Sequence, residues 1–264
     1  MTPAMHALVK NTMNNDLVSK QFSHPLLVAA YDTINSLGDD NEFYCQLVAK
    51  LSAKTIIDLG CGTGLLTCEL SSRGFEMIGI EPSGAMLGVA RAKPFADRVQ
   101  WIEGSYEKLE GHRVDLVLLT SHVAQFFLDQ KEWQKMLSAA YRALSPGGHI
   151  IFDSRPPVFP PYQTWPTKES PRRVLHPSLG AIDWYYALLG INANRVRYQL
   201  HFHFTDTDER VISTDELIFR TREELTGNLE SAGFVVERIF GDWDSSAFTS
   251  ASPEMIFVAA RPLK

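Results

Sequence analysis

Residues 55–64 read Thr55-Ile56-Ile57-Asp58-Leu59-Gly60-Cys61-Gly62-Thr63-Gly64. A β-branched apolar run ends on a carboxylate, and three alternating glycines follow. Leu65-Leu66-Thr67-Cys68-Glu69-Leu70 then opens a helical pattern. Few folds accept that order. Glycine is needed where the backbone takes positive φ or meets a ligand directly. The helix behind the loop points unpaired N–H groups at whatever lies in front of it. The segment therefore reads as a strand–loop–helix turn of an α/β sheet, with the glycines forming a bare floor under a nucleoside. Its spacing is not the dinucleotide fingerprint G-x-G-x-x-G. From Gly60 that pattern requires glycine where Leu65 stands, and from Gly62 where Thr67 stands.

The surrounding chain alternates strand and helix in the manner of a doubly wound sheet. Strands are predicted over 55–59, 75–80, 99–102, 114–119 and 149–153, with helices over 64–73, 83–93 and 131–144. Ser145-Pro146-Gly147-Gly148 reads as the stop of the third helix. Apolar residues at helical intervals predict two earlier helices between Pro25 and Ala53, separated by Gly38-Asp39-Asp40-Asn41, which is placed to cap the second. Residues 1–20 are polar and read as a loose arm or a helix that orders over the site.

After Asp153 the period changes. Six prolines between 156 and 171 exclude regular structure there. Two-residue alternation then predicts antiparallel strands over 182–186, 195–204, 210–213 and 216–220, with turns at Asn192-Ala193-Asn194 and Asp206-Thr207-Asp208. Thr221-Arg222-Glu223-Glu224 is a capping box returning the chain to a helix, and strands over 234–239 and 255–259 close the fold. The expected organisation is an N-terminal helical lid (1–53), an α/β core (54–153 and 221–264) and an antiparallel β cap inserted between (154–220).

At 264 residues and 45% hydrophobic, the chain can bury a full core. A net charge of −6 argues against a general nucleic-acid binder. Cys45, Cys61 and Cys68 lack the spacing of a disulfide framework or zinc knuckle. No apolar run is long enough to span a membrane, and the expectation is a cytoplasmic protein.

An acid two residues before G-x-G-x-G, with a second acid, Glu81, after the strand Phe75-Glu76-Met77-Ile78-Gly79-Ile80, resembles the class I S-adenosylmethionine-dependent methyltransferases. The resemblance covers roughly residues 50–153 and 221–262 and implies a Rossmann-like, seven-stranded doubly wound sheet. It implies S-adenosyl-L-methionine as donor and S-adenosyl-L-homocysteine as product. The insertion is similar to the caps of small-molecule methyltransferases, amino-sugar N-methyltransferases included. Gly241-Asp242-Trp243-Asp244 and Ser252-Pro253-Glu254 look like a bacterial subfamily of the class.

By that resemblance Gly60, Cys61, Gly62 and Gly64 lie under the adenosyl-methionine portion, and Asp58 meets its ammonium group. Glu81 takes the ribose hydroxyls, Pro82 and Met86 wall the adenine, and Gly104, Ser105 and Tyr106 contact its edge. Thr120, on the segment where the family also places substrate-facing residues, contacts the cofactor, as does Tyr31, which with Tyr44 forms a lid over it. The [DNS]-P-P-[YFW] motif of base-amino methyltransferases is absent after the fourth strand, where Thr120-Ser121-His122-Val123 stands. His122 is the candidate general base, its imidazole titrating near neutrality, or else a pocket-lining residue. No metal is expected. His201 and His203 share a strand face with His176 nearby, yet lack an acidic or thiol partner. Trp184, Tyr185, Tyr186, Phe202 and Phe204 alternate between faces. One set is placed to close over an aromatic or apolar acceptor, the other to pack on the core or on the partner of a homodimer. Arg155, Arg172 and Arg173 are either anion contacts or solvated surface. The expected activity is methyl transfer to a small molecule. The alternatives are an RNA or protein acceptor, a catalytically silent S-adenosylmethionine-binding protein, and a nucleotide-dependent oxidoreductase.

Overall fold

The computed structural model describes residues 18–157 and 164–263. The expected arm therefore lies outside the described residues as far as residue 17, as does the middle of the proline-rich segment. Three helices come first: α1 (Lys20–Ser23), α2 (Pro25–Ile34) and α3 (Asp39–Lys50). Pro25 starts α2, where its missing N–H costs nothing. Asn41 turns back so that its Oδ1 accepts the Gly38 N–H at 3.0 Å before α3.

The core follows as β1 (Thr55–Leu59), α4 (Leu65–Ser72), β2 (Glu76–Glu81), α5 (Gly84–Ala90), β3 (Val99–Glu103), β4 (Val114–Leu119), α6 (Gln130–Ala143) and β5 (Leu144–Ser154). Then come β6 (Arg172–His176), β7 (Gly180–Asn192), β8 (Arg195–Phe204), β9 (Glu209–Ile218), α7 (Arg222–Ser231), β10 (Val235–Phe240) and β11 (Met255–Ala260). The seven-stranded sheet runs β10-β11-β5-β4-β1-β2-β3. β1 to β5 pair in parallel, and β11 runs antiparallel to both β5 and β10. The predicted seven-stranded α/β class is the one found.

Four elements differ from their predicted extents, among them β7, which runs from Gly180 to Asn192 where a strand over 182–186 is predicted. The Ser145-Pro146-Gly147-Gly148 stretch is the lead-in of β5, not a loop: Leu144 pairs Val114, and Gly147 and Gly148 exchange backbone hydrogen bonds with Arg261. β9 is one strand rather than two, because its alternation continues through buried Ser213 and Asp215. β6 carries no predicted strand pattern and forms by pairing with β7, clamped by Arg173 on Asp183 at 2.6 Å. The second four-stranded sheet is β6-β7-β8-β9.

Both faces of the large sheet are covered, as near-continuous apolar strands require. On one face α6 and α7 pack through Trp133, Leu137, Leu225 and Leu229. On the other, α3 and α4 pack through Phe43, Val48, Leu66 and Leu70. A third apolar cluster joins Leu27 and Ala30 of α2 to Ile182, Trp184, Tyr198, Phe202 and Leu217 of the small sheet. The first helices and the inserted sheet thus share one core. Among the described residues no helix is long and apolar enough to cross a membrane.

Candidate active site

In an open parallel sheet the ligand crevice lies at the carboxyl ends of the strands. β1 ends there on Asp58 and hands the chain to the glycine loop. Gly60, Gly62 and Gly64 all adopt positive φ, at 79°, 56° and 74°. Their missing side chains serve different ends. A Cβ on Gly60 would stand 2.7 Å from Val123, and one on Gly64 would stand 2.6 Å from Trp101. Only Gly62 has ordinary room, with Met86 at 3.5 Å. Two of the three glycines therefore admit protein side chains, which the reading of a uniform floor missed.

Asp58 is buried, and its Oδ2 accepts the Thr67 hydroxyl at 2.6 Å. Its Oδ1 is buried without a hydrogen-bond partner. Burial pushes the carboxyl up to about 6. A buried carboxylate oxygen without a donor is costly, and a ligand ammonium group is the donor it fits. Glu81, at the end of β2, accepts the Gly62 N–H at 3.1 Å and the Ser83 N–H at 2.9 Å. Burial raises its pKa. Each of its oxygens keeps a lone pair for a further donor.

A cavity of about 380 Å³ opens over this loop. Its wall brings together Tyr31, Asp58, Gly60, Cys61, Gly62, Thr120 and His122 with Asp40, Phe126 and Arg155. The inserted sheet closes the far side with Trp184, Tyr186, Tyr198, Leu200 and Phe202, joined by Trp165. Gly64, Glu81, Pro82, Met86, Gly104 and Ser105, expected at the cofactor, do not line the cavity. Tyr106 points away from it: its ring meets Phe127 and its hydroxyl bonds Glu132 on α6. Tyr31 stays on the wall, whereas Tyr44 is buried beneath it.

The first helices are tied across the loop. Asp32 of α2 accepts from the Thr63 hydroxyl and from Lys93, and the Phe22 carbonyl accepts from Ser83. The inserted sheet is tied to the turn after β4. Arg220 donates to the Phe127 carbonyl at 2.6 Å, and Gln125 donates to the Ile218 carbonyl at 3.2 Å.

That turn is strained. Ser121 and His122 both take left-handed φ, at 57° and 63°, which costs about 1–2 kcal/mol per non-glycine residue. The His122 N–H, donating 2.7 Å to Asp153 Oδ2, holds the conformation. The imidazole is thereby set against two carboxylates: Nε2 lies 2.9 Å from Glu254 Oε2 and 3.3 Å from Asp153 Oδ2. Tyr44 donates 2.6 Å to the other Asp153 oxygen. Arg155 stands 4.0 Å from Glu254. Burial, aided by the Arg155 charge, lowers His122 to about 3, so the imidazole does not titrate near neutrality as expected and rests neutral, while burial lifts Glu254 to about 7 and raises Asp153.

Asp153 and Glu254 had no assigned role in the sequence reading, although Ser252-Pro253-Glu254 and Gly241-Asp242-Trp243 stood out. Trp243 packs on Phe43 and Tyr44, and the Glu254 N–H donates to the Gly241 carbonyl at 3.0 Å. Both motifs thus support one cluster. His122, Asp153 and Glu254 offer donor atoms within 4.8 Å of one another. Both Asp153 oxygens accept hydrogen bonds within the chain, and a guanidinium adjoins Glu254. Of the histidines on the inserted sheet, His203 bonds Asp208, an acidic partner the sequence reading did not give it, while His201 bonds Gln199 and His176 meets the Ala29 carbonyl.

Residues 56–148 match the family described as a methyltransferase domain. The chain carries a methyltransferase domain. A Geobacillus sp. (strain WCH70) protein assigned as a methyltransferase is 27% identical over 217 residues, 79% of this methyltransferase and 85% of the relative. The cypemycin N-terminal methyltransferase of a Streptomyces species is 28% identical over 137 residues, covering 50% and 55% of the two chains. An S-adenosylmethionine-dependent methyltransferase structure from Clostridium acetobutylicum ATCC 824 superposes with a TM-score of 0.72 at 16% identity, covering 88% of this methyltransferase and 96% of that chain. An amino pentose methyltransferase from Micromonospora echinaspora, solved with S-adenosylmethionine bound, superposes at 0.63 with 20% identity, covering 88% and 95%. These likenesses are of fold. S-adenosylmethionine is the methyl donor of this methyltransferase, and the unpartnered Asp58 oxygen beside the opened Gly62 is a local fit to it.

Proposed function

We propose that this methyltransferase transfers the methyl group of S-adenosylmethionine to a small, ring-bearing, largely apolar acceptor. One observation carries the reading: a single cavity runs from the glycine loop to the aromatic underside of the inserted sheet. Bound S-adenosylmethionine supplies a methyl carbon activated by positive sulfur. Asp58 would take the donor's ammonium group, Glu81 its ribose, and Met86 and Pro82 its adenine. α1 and α2 serve as the lid. Trp165, Trp184, Tyr186 and Tyr198 then hold a flat acceptor in line with the sulfur–methyl bond. Such positioning supplies on the order of 7–11 kcal/mol of a displacement barrier. His122 takes the acceptor's proton. The exposed Leu188, Leu189, Ile191 and Ile212 of the inserted sheet suit a contact with a second subunit.

Calorimetric titration with S-adenosylhomocysteine and with NAD tests the donor site. We expect the first to bind and the second not; the reverse would return the fold to the oxidoreductases. Labelled donor incubated with metabolite fractions then separates an enzyme from a silent binder. Label appearing in a peptide N-terminus instead of a small molecule would favour the chemistry named for the Streptomyces relative.

A further inference from the structure

We infer that the acceptor atom is a hydroxyl oxygen, deprotonated by His122 through Nδ1, with Glu254 and Asp153 as the positioning residues that hold the imidazole for that task and Arg155 facing the oxyanion. The inference deepens the methyltransferase reading and rests on it.

Two carboxylates lie at 2.9 and 3.3 Å from the same ring nitrogen, Nε2. Carboxylates accept hydrogen bonds, so Nε2 carries the proton and the lone pair resides on Nδ1. The ring lines the cavity, its side chain 14% exposed. Nδ1 is therefore the nitrogen with which His122 meets a ligand. The left-handed Ser121–His122 pair and the Tyr44–Asp153 hydrogen bond fix the ring where it is. Strain held by so many partners is characteristic of a working site.

The neighbouring charge selects the acceptor. Arg155 lines the same cavity and lies 3.5 Å from Gln125 and 4.0 Å from Glu254, longer than strong charge-assisted bonds. A guanidinium on an aromatic wall repels an ammonium group and steadies an oxyanion. An amine can shed its proton to water before entering, whereas a hydroxyl needs a base at the moment of attack. As the hydroxyl oxygen bonds the methyl carbon, its proton passes to His122 Nδ1. The sulfur keeps the electron pair of the broken carbon–sulfur bond, leaving a neutral thioether and an imidazolium. Nε2–H then points the new charge at Glu254 and Asp153.

The groups facing His122 are Asp40 from α3, Asp153 from β5, which Tyr44 of α3 also faces, Arg155 just beyond it, and Glu254, which Asp242 also faces. Burial holds Glu254 up to about 7. Below that pH it is protonated and cannot balance an imidazolium, so turnover rises as pH climbs through about 7.

The test combines nitrogen-15 NMR of His122, in the protein saturated with S-adenosylhomocysteine, with labelled-donor assays on single-ring phenols, catechols and primary amines. We expect the Nε2–H tautomer in the native protein and a tautomer mixture in Glu254→Gln. We expect phenols or catechols to be methylated with an acidic limb near pH 7. That limb should vanish in Glu254→Gln with a loss on the order of 100-fold in kcat, and Glu254→Asp should recover part of it. A proton on Nδ1 overturns the assignment. So does a panel in which amines turn over and hydroxyls do not, or in which neither does. Tight binding of one zinc ion, lost in Glu254→Gln, would make the cluster a metal site instead. If the native protein fails to bind S-adenosylhomocysteine, the methyltransferase reading itself falls.

Discussion

In its proposed role, Asp58 would be a binding group kept at the expense of stability. Its Oδ1 has no donor in the folded chain, and burial holds the carboxyl up to about 6 against an ordinary 3.8. For an acid, a raised folded pKa means that ionisation disfavours the folded state. Stability is lost as pH rises from about 4 to about 6, and the deficit persists above. A shift of that size corresponds to about 3 kcal/mol. Asp58→Asn should therefore melt higher than the native protein at pH 7 without ligand. Ligand binding should respond in the opposite sense. The amino group of S-adenosylhomocysteine favours ionised Asp58, so below pH 6 binding must first expel a proton. Calorimetry from pH 5 to 7.5 should show affinity falling up to tenfold per unit below about 6 in the native protein. Asp58→Asn should bind weakly at every pH in that range. An affinity with no such fall would remove Asp58 from contact with the ammonium group.

The loop from β1 to α4 separates packing from binding among residues of one type. Gly64→Ala forces a side chain into positive φ and against Trp101, and Trp101 is itself anchored by its indole N–H on the Ala96 carbonyl at 3.0 Å. We expect a loss of about 2–4 kcal/mol, read as a lowered melting temperature. Gly62→Ala meets only Met86 at van der Waals distance. Its cost to the fold should be about 1–2 kcal/mol, while S-adenosylhomocysteine affinity drops by tenfold or more. Equal affinity in Gly62→Ala and the native protein would show that the ligand does not lie on that backbone. The glycines themselves were plain in the sequence, because their period and the flanking strand and helix are local signals. Val123 and Trp101 as their partners were not, since Trp101 arrives from β3 and Val123 from the turn after β4. The same division applies to β5, where Pro146-Gly147-Gly148 reads locally as a stop but is drawn into a strand by Val114 and Arg261. His122 was legible as a residue near the site. Its partners were hidden, because Asp153 closes an apolar strand run and Glu254 precedes another, with nothing local to connect them.

The arrangement of the three apolar clusters bears on how ligands enter. α2 belongs to the same core as the inserted sheet, through Leu27 and Ala30 against Ile182, Trp184 and Phe202. The first helices hold the α/β core through polar ties, Asp32 of α2 with Thr63 and Lys93 and the α1 Phe22 carbonyl with Ser83, and through the Phe22 ring on Phe126. Apolar burial against the sheet persists if these ties break, and the sheet's own ties to the core, Arg220 on the Phe127 carbonyl and Gln125 on the Ile218 carbonyl, are polar as well, so we expect the helices and the sheet to move together. The turn between α2 and α3 at residues 35–38 is exposed and contains Gly38, which suits it to absorb the change in backbone angles. Asp32→Ala removes two of those ties without touching the shared apolar cluster. Its effect should therefore be kinetic. Stopped-flow displacement should show S-adenosylhomocysteine leaving about 5–10 times faster, the equivalent of about 1–1.4 kcal/mol. Thermal unfolding should stay close to the native midpoint, since partly exposed ion pairs contribute little to stability. A large fall in melting temperature with unchanged release would make α2 a fixed wall of the core, and the ligand would then have to enter elsewhere.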